Sequence, residues 1–143
     1  MIMNYELTDE TIEYAGRTLH RIRALVDIPY NNVEAGDLGG FIEKVENLQG
    51  NAWVFGNAKV YGDALVFDHA VVSGNAVVLD NAMVFENAKV FGKSFIFDNA
   101  KIFGGAEVGG HTWVSGNAEV YEDILEEFSW VHTPFEEGEE DYV

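Results

Sequence analysis

From Leu48 to Tyr121 an aliphatic side chain falls on every sixth residue: Leu48, Val54, Val60, Val66, Val72, Val78, Val84, Val90, Ile96, Ile102, Val108, Val114 and Val120. Four residues after each comes a small one, an Ala at every unit from Ala52 to Ala118 except Ser94 and Thr112, until Ile124 ends the series. In a strand, alternate residues share a face. In the unit Ala58-Lys59-Val60-Tyr61-Gly62-Asp63, Ala and Val therefore point one way and Lys and Tyr the other. The slot between Ala and Val holds Lys59, Lys89, Lys101, Glu107 and Glu119; it must face water, which sends the Ala and Val columns inward. The last two positions are Gly or an acid and then Asn, as in Gly56-Asn57, Gly74-Asn75, Asp80-Asn81 and Gly116-Asn117, residues that tolerate the positive φ of a sharp corner. Each hexad is one short strand and one corner. Thirteen in register predict a tight coil with a narrow aliphatic core, its rungs stacked as parallel strands about 4.8 Å apart.

The unit Val-x-Gly-Asn-Ala-x resembles the hexapeptide repeat of left-handed parallel β-helices, which implies an all-β solenoid of about four triangular turns with three hexads to a turn. One feature departs from that pattern: Phe or Tyr usually follows the aliphatic residue, where the family often has Gly. Ahead of the repeat, residues 1–47 read as a β-rich cap. Apolar and polar residues alternate on either side of Ala15-Gly16, which predicts a β-hairpin whose Leu19, Ile22, Leu25 and Val26 cover the first rung. The glycine-dense stretch Gly36-Asp37-Leu38-Gly39-Gly40 lacks the Lys-Ser/Thr and the spacing of a phosphate loop and reads as a bend leading into the coil. Tyr5-Glu6-Leu7-Thr8, His20-Arg21-Ile22-Arg23 and Gly39-Gly40-Phe41-Ile42-Glu43 before Gly-Asn-Ala repeats resemble a group of small YdcK-like proteins of phages, prophages and enterobacterial genomes. Residues 48–124 form the repeat and residues 125–143 an acidic extension of the same single domain.

With three hexads per turn, residues 18 apart stack. One outer face then carries Leu65 and Met83 beside Phe67, Phe85, Phe103 and Tyr121. A second carries Val77, Phe95 and Trp113 beside Tyr61, Leu79 and Phe97. The third mixes Trp53, Phe55, Val71 and Phe91 with Ser73, Lys89, Glu107 and Gly109. Two apolar faces are more than a monomer leaves in water. The cap or the C-terminal segment, through Phe128, Trp130, Val131 and Phe135, is expected to cover one; the Phe67, Phe85, Phe103, Tyr121, Leu65 and Met83 face is the candidate homo-oligomer interface, dimer or trimer. Three-fold packing is usual in the proteins the repeat resembles.

Charge narrows the partners. The net charge is −17, and residues 122–143 contribute nine acids and no base. Such a chain repels nucleic acid and suits a partner with a basic surface, met by Glu126, Glu127, Glu136, Glu137, Glu139, Glu140 and Asp141. There is no cysteine, hence neither a disulfide frame nor a thiolate metal site. The N-terminus lacks a basic segment followed by an apolar run, and no stretch of eighteen apolar residues occurs, so no membrane association and a cytoplasmic setting are expected.

Candidate chemistry is thin. Hexapeptide acyltransferases resemble this repeat and use a histidine as general base, which makes His111, beside Gly109-Gly110, the one catalytic candidate. It sits in a corner slot otherwise filled by Asn, and no insertion interrupts the hexads to build a substrate pocket. Asp68 and Glu86, and Asp80 and Asp98, lie one rung apart, roughly 5 Å; Asp80 and Asp98 are weak candidates for a hard cation, and the reading is that no metal or other cofactor is bound. The expected function is a non-enzymatic interaction protein of phage or prophage type that occupies and inhibits a host protein or defence complex in the host cytoplasm, its acids imitating nucleic acid if the target is a nuclease. The alternatives are an acyltransferase-like enzyme and an oligomer that is structural or sequesters a small messenger between subunits.

Overall fold

A hexad with two inward side chains cannot bury them alone, so each rung must be held by its neighbours. The hydrogen bonds follow that requirement: Trp53 N–H donates to the Ala70 carbonyl (3.0 Å), Phe55 to Val72 (2.8 Å) and Lys59 to Ala76 (3.0 Å), each one turn ahead. The computed structural model describes residues 3–135. They form an all-β solenoid with three parallel faces. One face is a four-stranded sheet of β4 (Trp53–Val54), β7 (Val71–Val72), β10 (Lys89–Val90) and β13 (Glu107–Val108). Another holds β6 (Leu65–Val66), β9 (Met83–Val84), β12 (Lys101–Ile102) and β15 (Glu119–Val120). The third belongs to a longer sheet, which runs β1 (Tyr5–Tyr14), β2 (Arg17–Ala24), β3 (Leu38–Ile42), β5 (Lys59–Val60), β8 (Val77–Val78), β11 (Phe95–Ile96), β14 (Thr112–Gly116) and β16 (Ser129–Thr133).

The hexad residues from Val54 to Val114 and the Ala column from Ala58 to Ala106 are fully buried, in one continuous core. Every first-corner residue from Gly50 to Gly116 has positive φ, whether Gly or one of Asp68, Asp80, Glu86 and Asp98. The expected inward and outward columns are therefore those observed.

The ends depart from expectation. In the long sheet, β3, β5, β8, β11, β14 and β16 are six parallel rungs bounding five turns, where the hexads alone implied about four. Gly39 and Gly40 are not a bend; they lie inside β3, because a Cβ on Gly39 would stand 2.5 Å from the Val54 carbonyl oxygen and one on Gly40 2.6 Å from that of Ala58. The hairpin of β1 and β2 turns at Ala15-Gly16 and joins β3 antiparallel, so it continues the sheet past the first rung. Leu19, Ile22 and Ala24 are buried as it does so, whereas Leu25, expected inside, is 47% exposed. Among the described residues the C-terminal segment adds a rung instead of covering an outer face: β16 pairs with β14, with Trp113 beside Trp130, leaving Phe128 and Trp130 exposed.

The cap covers the start of the mixed face. Trp53 points outward from the coil yet is 1% exposed, with Tyr5 against it edge-on at 6.3 Å. Tyr5 Oη lies 2.7 Å from the Val45 carbonyl and 2.8 Å from that of Leu48, so one hydroxyl proton serves both. Burial, and secondarily the charge of Glu46, pushes its phenol well above the ordinary value of 10.0.

Candidate binding faces

Because residues 18 apart stack in one column, identical slots repeat at rung spacing and aromatic residues become ladders. On the β6–β9–β12–β15 face, Phe67 and Phe85 stack with centroids 5.0 Å apart and planes 3° from parallel; Phe85 and Phe103 follow at 5.3 Å and 12°, and Tyr121 closes the ladder at 5.8 Å. Leu65, Met83, Lys101 and Glu119 form the other outward column. Phe67, Phe85 and Phe103 are half-buried, and Tyr121 at the end of the ladder is 62% exposed.

The outer side of the long sheet is a groove. Leu19, Phe41, Tyr61 and Val77 form a second buried apolar cluster, with Ile12, Tyr14, Leu79 and Phe95 packed on it. Tyr14, from the hairpin, meets Tyr61 edge-on at 5.9 Å, so the cap covers the head of this face. Beyond it Tyr14, Tyr61, Val77, Leu79, Phe95, Phe97 and Trp113 line a cavity of about 220 Å³. Phe95 stacks on Trp113 at 5.7 Å and Phe97 meets it edge-on at 6.1 Å. Lys59 lies at the upper margin with Nζ 5.0 Å from the Tyr14 ring centroid, and burial lowers its pKa. Burial raises that of Tyr61.

Between these two faces runs the acidic edge. A cleft of about 430 Å³ is lined by Arg17, Tyr61, Asp63, Asp80, Asn81, Asp98, Asn99 and Phe135. The stacked acids have backbone work: Asp80 Oδ2 accepts from the Asp98 N–H (3.0 Å) and Asp98 Oδ2 from that of Gly116 (2.9 Å). On the other edge Asp68 accepts from Glu86 N–H and Glu86 from Gly104 N–H. Each carboxylate caps the donor one rung on, which accounts for the columns without a cation. Among the described residues no three His, Asp or Glu side chains gather as a metal site.

The histidines are dispersed. His111 sits at its corner with the Phe128 ring tilted against its own at 4.9 Å, and its carbonyl accepts from Ser129 N–H. His69 is covered by Tyr30 at 4.0 Å, whose hydroxyl donates to Asn87 Oδ1. His20 Nδ1 lies 3.0 Å from the Thr8 carbonyl. His132, for which the sequence offered no partner, pairs with Ser115: Oγ and Nδ1 are 2.8 Å apart, and Trp130 Nε1–H donates to the same Oγ at 2.9 Å. Ser115 is sealed beneath these rings, so the cluster fastens β16 to β14. Only the cross-strand register of Ser115 with His132 brings the pair together, and nothing local in the sequence signals it. Glu126 and Glu127 are exposed at the C-terminal end, with Glu126 accepting from Ser129 Oγ; Glu136, Glu137, Glu139, Glu140 and Asp141 lie outside the described residues.

No protein-family model matches the chain, and no curated protein sequence matches it.

Proposed function

We propose that this chain is a non-enzymatic interaction protein that works by occupying a surface of another protein. The carrying observation is the apolar groove of the long sheet, which runs past Tyr14 to the 39% exposed Trp113 and is flanked by the acidic edge at Asp63, Asp80 and Asp98. Apolar aromatic centres with charged rims are what protein interfaces use. The complementary partner has an apolar knob within a basic rim, and association with it slows as salt rises. The YdcK-like resemblance of the cap supports a phage or prophage setting, with a defence or regulatory protein in the host cytoplasm as the target.

The test is capture from bacterial lysate at about 50 mM and about 500 mM salt with the intact chain, Phe97→Asp and a chain ending at Phe135. The expected result is a partner held by the intact chain, lost with Phe97→Asp and weakened by salt. The truncated chain reports whether the tail acids contribute. The runner-up is an acyltransferase-like enzyme built on His111. Absence of a partner for the intact chain, with micromolar saturable binding of acetyl coenzyme A that His111→Ala removes, establishes that reading instead.

A further inference from the structure

The β6–β9–β12–β15 face carries two outward columns whose chemistry changes in step. Reading along the solenoid, the first is Leu65, Met83, Lys101, Glu119 and the second Phe67, Phe85, Phe103, Tyr121. We infer that this face binds a second copy of the chain about a two-fold axis parallel to the solenoid axis. The inference is independent of the proposed partner, which takes the other apolar face.

Such an axis keeps the rungs of the two copies level and reverses strand direction across the interface, so the first column of one copy faces the second column of the other. Leu65 then meets Phe67, Met83 meets Phe85, Lys101 meets Phe103 and Glu119 meets Tyr121, each pair made twice. These are aliphatic on ring, thioether on ring, ammonium on ring and carboxylate accepting from a phenol hydroxyl. The alternative two-fold, along the strands, sets the first column against itself with rung order reversed. Full overlap then puts Leu65 against Glu119 and Met83 against Lys101, and pairing Lys101 with Glu119 leaves half of the face uncovered. Within one copy, Lys101 and Glu119 are register neighbours on adjacent rungs yet form no ion pair with each other. Four rungs give a patch roughly 19 Å long and about 15 Å wide. Two such patches present roughly 600 Å² in projection, and the relief of the stacked rings raises the accessible surface toward the roughly 1,000 Å² at the lower bound for a specific interface. An interface of that size calls for a test across a wide range of concentration.

The experiment is sedimentation equilibrium of the intact purified chain from about 1 to 200 µM, together with cross-linking. The chain has no cysteine, so Glu119→Cys and Tyr121→Cys provide single reporters. The expected result is a mass rising from 15.9 kDa toward twice that value, a monomer at all concentrations for Phe85→Asp, and at least tenfold weaker association for Lys101→Glu. A short bismaleimide, which spans the roughly 10 Å between packed sheets, should link the two Cys variants when they are mixed, in preference to either variant with itself. A monomer at 200 µM, a dimer that survives Phe85→Asp, or a dimer whose mixed Cys variants do not cross-link overturns the arrangement. A variant that loses its cooperative melt is replaced by Phe103→Ser, for which the same monomer is expected.

Discussion

Asp80 and Asp98 hold φ of +57°, a conformation that costs an ordinary L-residue about 1 kcal/mol and glycine nothing. The neighbouring corners use glycine; these use acids because the carboxylate returns a hydrogen bond to the next rung's N–H, a charge-assisted bond that offsets the strain. The identity of the corner residues was legible in the sequence as a turn preference, but their bonds were not, since the donor lies 18 residues away and is reached only by stacking. Tyr5 is a similar case at the cap. Its phenol is held protonated by burial, so the folded state retains a proton that the unfolded chain releases near pH 10. Stability from this group is fully present below pH 10 and is lost as pH rises above it. Tyr5→Phe is expected to lower stability by about 1–2 kcal/mol at pH 8, because two carbonyls lose their donor. Between pH 10 and 11.5 the variant should decline less steeply than the parent. Urea unfolding at these pH values measures both effects.

Among the elements, the hexads were readable because a two-fold alternation and a six-residue period fix which side chains face in. The elements outside that period were not. Gly39-Gly40 read as a bend by composition; their burial in β3 follows from how closely the first rung packs on Val54 and Ala58, a contact no local pattern announces. Leu25 is exposed because Ile22 and Ala24 take the inward places at the end of β2, and alternation from them sends residue 25 outward. β16 was invisible as a rung because it lacks the hexad and is held by Val131 on the core and by Ser115. Gly40→Ala tests the packing account of β3. With a methyl 2.6 Å from a carbonyl oxygen and 2.7 Å from Val54 Cγ1, it should cost about 1–3 kcal/mol or more in thermal unfolding. A bend with open space around it would accept Ala at a few tenths of that.

On the scale of the whole molecule, the solenoid presents two apolar faces separated by an acidic edge. Among the described residues β1 and β16 are the edge strands of the long sheet, and they sit among Glu6, Asp9, Glu10 and Glu13 at one end and Glu126 and Glu127 at the other, charges that discourage end-to-end pairing. Association is thereby directed to the faces, one for a second copy and one for a partner. Everything in that account depends on Val84 pointing into the coil and Phe85, its neighbour, pointing out. The thermal melts of Val84→Asp and Phe85→Asp, compared at equal concentration, test it most directly. Val84→Asp buries an unpaired carboxylate in an aliphatic core and is expected to abolish the cooperative transition, while Phe85→Asp melts cooperatively within a few degrees of the parent; loss of the transition in Phe85→Asp, or its survival in Val84→Asp, contradicts the account.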